Sequence, residues 1–307
     1  MVVFRGLSDP RLLPRPSAVA VGNFDGCHRG HLRLLERLRA RAGAAGLRSL
    51  VLTFEPHPER ALGRRSVRLI DTPAQRLDRL RATGVDAVVL AAFGKSFARL
   101  SCREFVERVL RDRLGAREVV VGRGFRFGRG RRGGVDLLRR LGREAGLSVR
   151  AVPPAVLDGR IVSSTAVRAL LARGRVEEAA RLLGRPYEIA GRVVPGKKRG
   201  RLLGYPTANL DTANELLPEG IYISETVKGR TAHPSVTSIG TNPTFGPNPL
   251  TVETLLLDFR GSLYGAGVTV RLLRRLRRPR AFAGAEALAA AIARDIAAAA
   301  DWFARRG

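Results

Sequence analysis

The sequence is short of cysteine, of lysine, of acidic residues and of long apolar runs, and each shortage excludes something. Its two cysteines, Cys27 and Cys102, stand far apart and without partner spacing, so neither a disulfide framework nor a cysteine-based zinc site is expected; both read as small apolar residues. No apolar run approaches the roughly 18 to 20 residues that span a bilayer, and Met1 to Pro16 has no hydrophobic segment of signal-peptide length. The expectation is a soluble, cytoplasmic protein with no membrane partner. The G-x-x-x-x-G-K-[ST] order of a Walker phosphate loop is absent as well.

Against 55 basic residues there are 27 acidic ones, a formal net charge of +28. Alone that would favour a polyanion such as a nucleic acid. Only four of the basic residues are lysine, however, both halves of the chain are basic, and Ala, Gly and Leu are abundant. This texture reads as dispersed composition bias rather than a dedicated nucleic-acid surface. A nucleic-acid-binding protein with degenerate enzyme modules is the rival from another class, and it predicts steeply salt-dependent binding.

At 307 residues the chain is long enough for two domains, each with its own core. The first half alternates apolar runs (Ser17 to Gly22, Leu50 to Phe54, Ala87 to Ala91, Val119 to Val121) with helical stretches (His31 to Ala45, Pro73 to Ala82, Cys102 to Arg113). That alternation predicts a parallel α/β sheet with covered faces. A helix over Thr165 to Leu183 is broken by Gly184-Arg185-Pro186, which sets the expected division at 1–185 and 186–307. From Tyr187 to about Arg274, short runs rich in Val, Ile, Thr and Tyr between glycines and prolines predict an antiparallel barrel or sandwich. A last helix, Ala283 to Phe303, carries Leu288, Ile292, Ile296 and Phe303 on one stripe.

Chemistry concentrates in two segments. The first is Gly22-Asn23-Phe24-Asp25-Gly26-Cys27-His28-Arg29-Gly30-His31, between the first of those strands and the first helix. A helix N-terminus at a strand end offers unpaired N–H groups and a positive dipole end to phosphate. Gly22, Gly26 and Gly30 admit a close approach, and His28 and His31, three apart, can donate to charge developing on a phosphoryl group. The second segment runs from Gly191 to Leu210. Its Gly196, Lys197, Gly200, Arg201 and Gly204 can wrap phosphates with backbone N–H groups, or they form a plain basic turn.

The first half resembles the adenylyltransferase module of prokaryotic bifunctional riboflavin kinase/FAD synthetases. The likeness rests on GNFDGCHRGH, on Thr53-Phe54-Glu55-Pro56-His57-Pro58, on Val121 to Gly128 and on Ser163-Ser164-Thr165-Ala166-Val167-Arg168. The second half is similar to the riboflavin kinase module, through GRVVPGKKRGRLLGYPTANL, Gly220-Ile221-Tyr222, Ser238 to Gly246, Val252-Glu253 and Leu257-Asp258-Phe259 with Leu263-Tyr264-Gly265.

The resemblance implies a Rossmann-like α/β nucleotidyltransferase domain followed by a small antiparallel β-barrel kinase domain with a C-terminal helix. It implies riboflavin, FMN and ATP as substrates and Mg²⁺ accompanying ATP. His28 and His31 would stabilise the transition state as the FMN phosphate attacks the α-phosphorus. Gly22, Asn23, Phe24, Asp25, Gly30, Ser163, Ser164, Thr165 and Arg168 would hold the nucleotide, although Ser163 to Thr165 also suit a helix cap and Asp25 a structural cap. Pro56, His57, Pro58, Phe125 and Phe127 would line the flavin pocket.

In the second half Gly196, Lys197, Gly200, Arg201, Gly204 and Pro206 would contact ATP. Thr207 and Asn209 would place Mg²⁺, and Glu253 would take the proton of the ribityl hydroxyl. Two positions depart from the family pattern: Gly124 stands where an acidic residue is usual, and Leu255 where histidine is frequent. The enzymatic alternative is a chain that retains one activity only, the kinase.

Overall fold

The computed structural model describes residues 1–63, 67–196, 204–241 and 250–306. The chain divides into two compact units, Met1–Ser164 and Thr165–Gly307.

In the first unit six parallel strands, β1 (Val2–Phe4), β2 (Ser17–Val21), β3 (Arg48–Glu55), β4 (Ala87–Ala92), β5 (Ala116–Gly122) and β6 (Ser148–Val152), lie in the order β1-β4-β3-β2-β5-β6. All of β2 and the interior of β3 are buried, as a sheet covered on both faces requires. On one face Val19, Val21, Leu50 and Leu52 pack with Phe105, Val106 and Leu110; on the other Ala18, Ala20 and Val51 meet Leu34, Leu35 and Leu38 of the helix Arg29–Ala44. The strand order reverses at β2, with β3 and β4 to one side and β5 and β6 to the other. Open α/β sheets bind ligands at the carboxyl ends of strands beside such a reversal, and β2 runs directly into the segment 22–31. The edge strands β1 and β6 were not expected; β6 alternates exposed and half-buried residues and so carries no apolar run. A short hairpin, β7 (Val156–Leu157) and β8 (Arg160–Ile161), turns through Asp158-Gly159 with φ of 50° and 71°, the left-handed pair that a two-residue hairpin favours.

The second unit begins with two helices where one was expected. Ser164–Ala172 and Val176–Leu183 are separated at Gly174, whose φ of 68° ends the first. Arg275 Nη1 donates to the Arg173 carbonyl at 3.0 Å and seals the break. Six antiparallel strands, β9 (Tyr187–Val194), β10 (Ala208–Thr212), β11 (Gly220–Lys228), β12 (Thr231–Gly240), β13 (Thr251–Leu256) and β14 (Gly267–Arg277), then close a barrel in the order β10-β13-β12-β11-β14-β9. The barrel alternative to a sandwich is thus the one adopted.

Part of the barrel interior is polar. Ser224, Thr226, Ser235, Thr237 and Thr254 are each 0% exposed. Thr226 Oγ1 donates to Ser235 Oγ at 3.0 Å, Ser235 Oγ lies 2.9 Å from Ser224 Oγ, and Ser224 Oγ lies 2.7 Å from Thr237 Oγ1. Thr237 Oγ1 donates to Thr254 Oγ1 at 2.9 Å, and Thr254 returns to Thr226 at 3.0 Å. Run in one sense, this ring gives every hydroxyl one bond donated and one accepted, so no buried group in it is left without a partner.

The closing helix spans Ala285–Ala304. Its stripe is offset from the expected one: Ala291, Asp295 and Ala299 are the buried positions, while Ile296, Trp302 and Phe303 pack at the margin of a cluster with Ile221, Ile223 and Val236. Asp295 is tolerated there because Arg277 grips it bidentately, Nε to Oδ1 at 3.0 Å and Nη2 to Oδ2 at 2.8 Å. Among the described residues no helix is long and apolar enough to cross a membrane.

Candidate active sites

Between β2 and the helix Arg29–Ala44 the backbone turns through Phe24, Gly26 and Cys27 with φ of 52°, 81° and 36°. Left-handed geometry at two non-glycine residues is a cost that surrounding contacts must hold in place. Asp25 supplies them. Buried, it accepts from the Ile70 N–H at 2.9 Å and the Asp71 N–H at 3.2 Å, so its carboxylate clamps the 70–71 backbone in the structural role left open by the sequence. His28 is the helix cap: its Nδ1 accepts from the His31 N–H at 3.3 Å, which leaves the proton of the neutral ring on Nε2.

The His28 and His31 rings stack, centroids 3.7 Å apart and 16° from parallel, with Phe24 tilted 5.2 Å from His31. His31 Nδ1 is buried with no hydrogen-bond partner among the described residues. Burial first, and the neighbouring His28 second, hold the His31 pKa well below the ordinary imidazole value. Gly30 is there for space, since a Cβ would stand 3.2 Å from the His28 ring and 3.4 Å from the Val162 carbonyl. Ser164 Oγ donates to the Asp25 carbonyl at 2.9 Å, which brings the Ser163-Ser164 segment to this turn. Thr165 and Arg168 belong to the second unit, on the helix Ser164–Ala172.

The Thr53 to Pro58 segment reaches the same turn. Thr53 Oγ1 donates to the Asn23 carbonyl at 3.2 Å, and the Asn23 amide lies 3.0 Å from His57 Nε2. His57, expected against the flavin, is 4% exposed and caps the helix Pro58–Ala61 by accepting the Glu59 N–H at Nδ1. With Nδ1 accepting, the ring proton sits on Nε2 and meets the Asn23 side chain, whose amide oxygen is the group that can accept it, while Pro56 is exposed and Pro58 half-buried. Phe127, the other ring expected against the flavin, is 5% exposed and packs on Phe105 with centroids 5.5 Å apart. Phe125 stacks on it at 5.7 Å, 9° from parallel, and is the more accessible ring of the pair. Gly124, where the family carries an acid, faces open space: no atom lies within 4 Å of a Cβ built there.

Sequence reasoning missed Arg76. It is 3% exposed on the helix Pro73–Ala82, one turn before the buried Leu80, and its Nη2 lies 2.5 Å from Glu55 Oε2. The available signal was an arginine at i−4 from a core leucine.

In the barrel, Val252 and Thr254 are buried, so the period of two turns Glu253 to the opposite face of β13. Asn209 of β10 is its cross-strand partner, Thr207 Oγ1 donates to Glu253 Oε2 at 3.4 Å, and Thr251 Oγ1 to Oε1 at 3.5 Å. Thr251 also escaped the sequence reading, although it lies two residues from Glu253 on the same face. Gly196 approaches Asn209 so closely that a Cβ would run into the amide. Gly204 takes a φ of 83° in the turn before the exposed Pro206. Leu255 pairs across the sheet with Val236 and is half-buried. Lys197, Gly200 and Arg201, with residues 242–246 of the Ser238 to Gly246 run, lie outside the described residues.

The hydroxyl oxygen of Thr207 and the amide oxygen of Asn209, on the strand end beside Glu253, are hard donors of the kind Mg²⁺ takes. Among the described residues no cluster of three or more His, Cys, Asp or Glu could hold a metal. An open arrangement of this kind suits an ion that keeps waters and is shared with phosphate oxygens.

Comparison with known proteins finds a match for each half of the chain. The FAD synthetase family model matches residues 11–166 and the riboflavin kinase family model residues 183–303. A bifunctional riboflavin kinase/FMN adenylyltransferase of Pseudomonas fluorescens is 41% identical over 97% of this chain and 97% of its own. The Escherichia coli (strain K12) protein of the same name is 36% identical over 99% and 98%. A crystal structure described as a macrolide-efflux protein from Streptococcus pneumoniae superimposes with a TM-score of 0.89 at 30% identity, covering 98% of this chain and 100% of that one. With both family models in sequence along one chain and relatives matched end to end, the chain belongs to the bifunctional riboflavin kinase/FMN adenylyltransferase family.

Proposed function

We propose that residues 1–185 adenylylate FMN to FAD at the His28–His31 turn and residues 186–307 phosphorylate riboflavin to FMN at the Glu253 cluster, each with Mg-ATP, in the cytoplasm. The observation that carries this reading is the presence of two separate phosphate-ready clusters, one in each compact unit.

In the first reaction an FMN phosphate oxygen attacks the α-phosphorus of ATP and pyrophosphate leaves. The helix N-terminus at Arg29-Gly30 and the Nε2 proton of His28 meet the charge that grows on the phosphoryl oxygens, and His31, whose pKa is held down, supports the stack as a neutral ring. Gly22, Asn23 and Phe24 with Ser163 and Ser164 hold the nucleotide. Pro56, Pro58 and Phe125 form the flavin-facing wall, with His57 and Phe127 behind it.

In the second reaction the terminal ribityl hydroxyl gives its proton to Glu253 and attacks the γ-phosphorus, releasing ADP. Thr207 and Thr251 fix the carboxylate from either side. Bound Mg²⁺ would neutralise phosphate charge, with Thr207 and Asn209 as its protein ligands. Gly196, Lys197, Gly200, Arg201, Gly204 and Pro206 contact ATP.

Incubating the purified chain with riboflavin, ATP and Mg²⁺ and separating flavins by chromatography should give FMN first and FAD second. Absence of both products would refute the reading, and chelating the metal should stop both steps.

A further inference from the structure

Arg76 is not explained by packing. Its helix position shares a stripe with Leu80, where an apolar side chain would bury as well without desolvating a cation. The guanidinium instead bridges two functional segments. Nη2 pairs with Glu55 at 2.5 Å and Nη1 reaches the Asn23 carbonyl at 3.5 Å, an oxygen that also accepts from Thr53 at 3.2 Å. Asn23 leads out of β2 on the nucleotide side, whereas Glu55 directly precedes the Pro56-His57-Pro58 segment on the flavin side. The bridge is closed by a second contact, the Asn23 amide 3.0 Å from His57 Nε2. Arg76 Nε is meanwhile buried with no partner among the described residues, so the group is placed for these two acceptors rather than for its own solvation.

We infer that Arg76 is a positioning residue for FMN adenylylation, holding Asn23 and Glu55 in one frame so that the nucleotide-side and flavin-side loops are ordered together. The inference rests on the adenylyltransferase site proposed above. It acts through Asn23 and the Glu55 to Pro58 backbone, not by touching substrate.

The test measures FAD formation from FMN and ATP in the full chain, with riboflavin phosphorylation by the same preparation as the folding control. Arg76→Met should raise KM for FMN and for ATP together, by about tenfold or more, since a charge-assisted contact is lost to each loop. Glu55→Gln should raise KM for FMN more than for ATP, and Arg76→Met/Glu55→Gln should be no worse than Arg76→Met, as coupled residues require. Arg76→Lys should recover part of the loss, and with Glu55→Gln it carries the test if Arg76→Met does not fold. Parental KM values for both substrates in Arg76→Lys and Glu55→Gln, with only a lowered melting temperature, would overturn the inference. Failure of the underlying site reading shows differently, as FAD formation that survives His28→Asn whatever stands at position 76.

Discussion

His28 and His31 stack face to face, and His31 is the one whose protonation is suppressed. Because the folded state holds the His31 pKa below 6.5, the unfolded chain takes up this proton first as pH falls. The associated stability is fully present above that value and is lost as pH drops from it toward the folded pKa. Thermal midpoints measured at about pH 7.5 and about pH 5.5 should fall for the parent, and less for His31→Gln. Equal losses in the two proteins would show that His31 is not held neutral.

Gly196 and Asn209 are in such close contact that Gly196→Ala has no room beside the amide. This variant should lose most riboflavin phosphorylation while converting supplied FMN to FAD at the parental rate. The two rates can be read from one protein preparation by changing the flavin.

The closed hydroxyl ring makes a sharp stability prediction. Thr254→Val is close in shape but opens the ring, leaving Thr226 and Thr237 each short of a partner, and should cost about 1 to 3 kcal/mol in denaturant unfolding of the barrel. Thr254→Ser preserves the ring and should cost less. The reverse order would contradict a single circular sense.

Phe125 and Phe127 stack but differ in burial. Phe127→Ala should destabilise the first unit by about 3 to 5 kcal/mol. Phe125→Ala, at a half-buried ring, should cost less stability than Phe127→Ala and raise KM for FMN several-fold, the scale of one aromatic contact.

Much of this was legible in the sequence, for identifiable reasons. The turn after β2 announces itself because glycines and histidines meet where a strand feeds a helix, a place whose backbone chemistry is the same in any protein. Glu253 was legible through resemblance rather than through its own chemistry. The break at Gly174 had a signal, a glycine inside a helical pattern, that the surrounding leucines outweighed.

Other features were hidden by three-dimensional pairing. Ser224 and Thr226, like Ser235 and Thr237, show the alternation of an outward polar face, yet they point inward because the ring satisfies each hydroxyl. Arg76 and Asp295 break the apolar pattern of their helices, and their partners, Glu55 and Arg277, are far away in sequence. Residue type does not report burial either: His57 and Phe127, both expected at the flavin, are 4% and 5% exposed and contact Glu59 and Phe105.

The central claim is two independent sites in one chain, and a chromatographic assay of two variants tests it most directly. Supplied with riboflavin, ATP and Mg²⁺, the His28→Asn/His31→Asn protein should accumulate FMN without FAD. Glu253→Gln should form neither from riboflavin, with FMN production down by about 10² to 10⁴, yet convert added FMN to FAD at the parental rate. Loss of both steps in either well-folded variant would contradict the account.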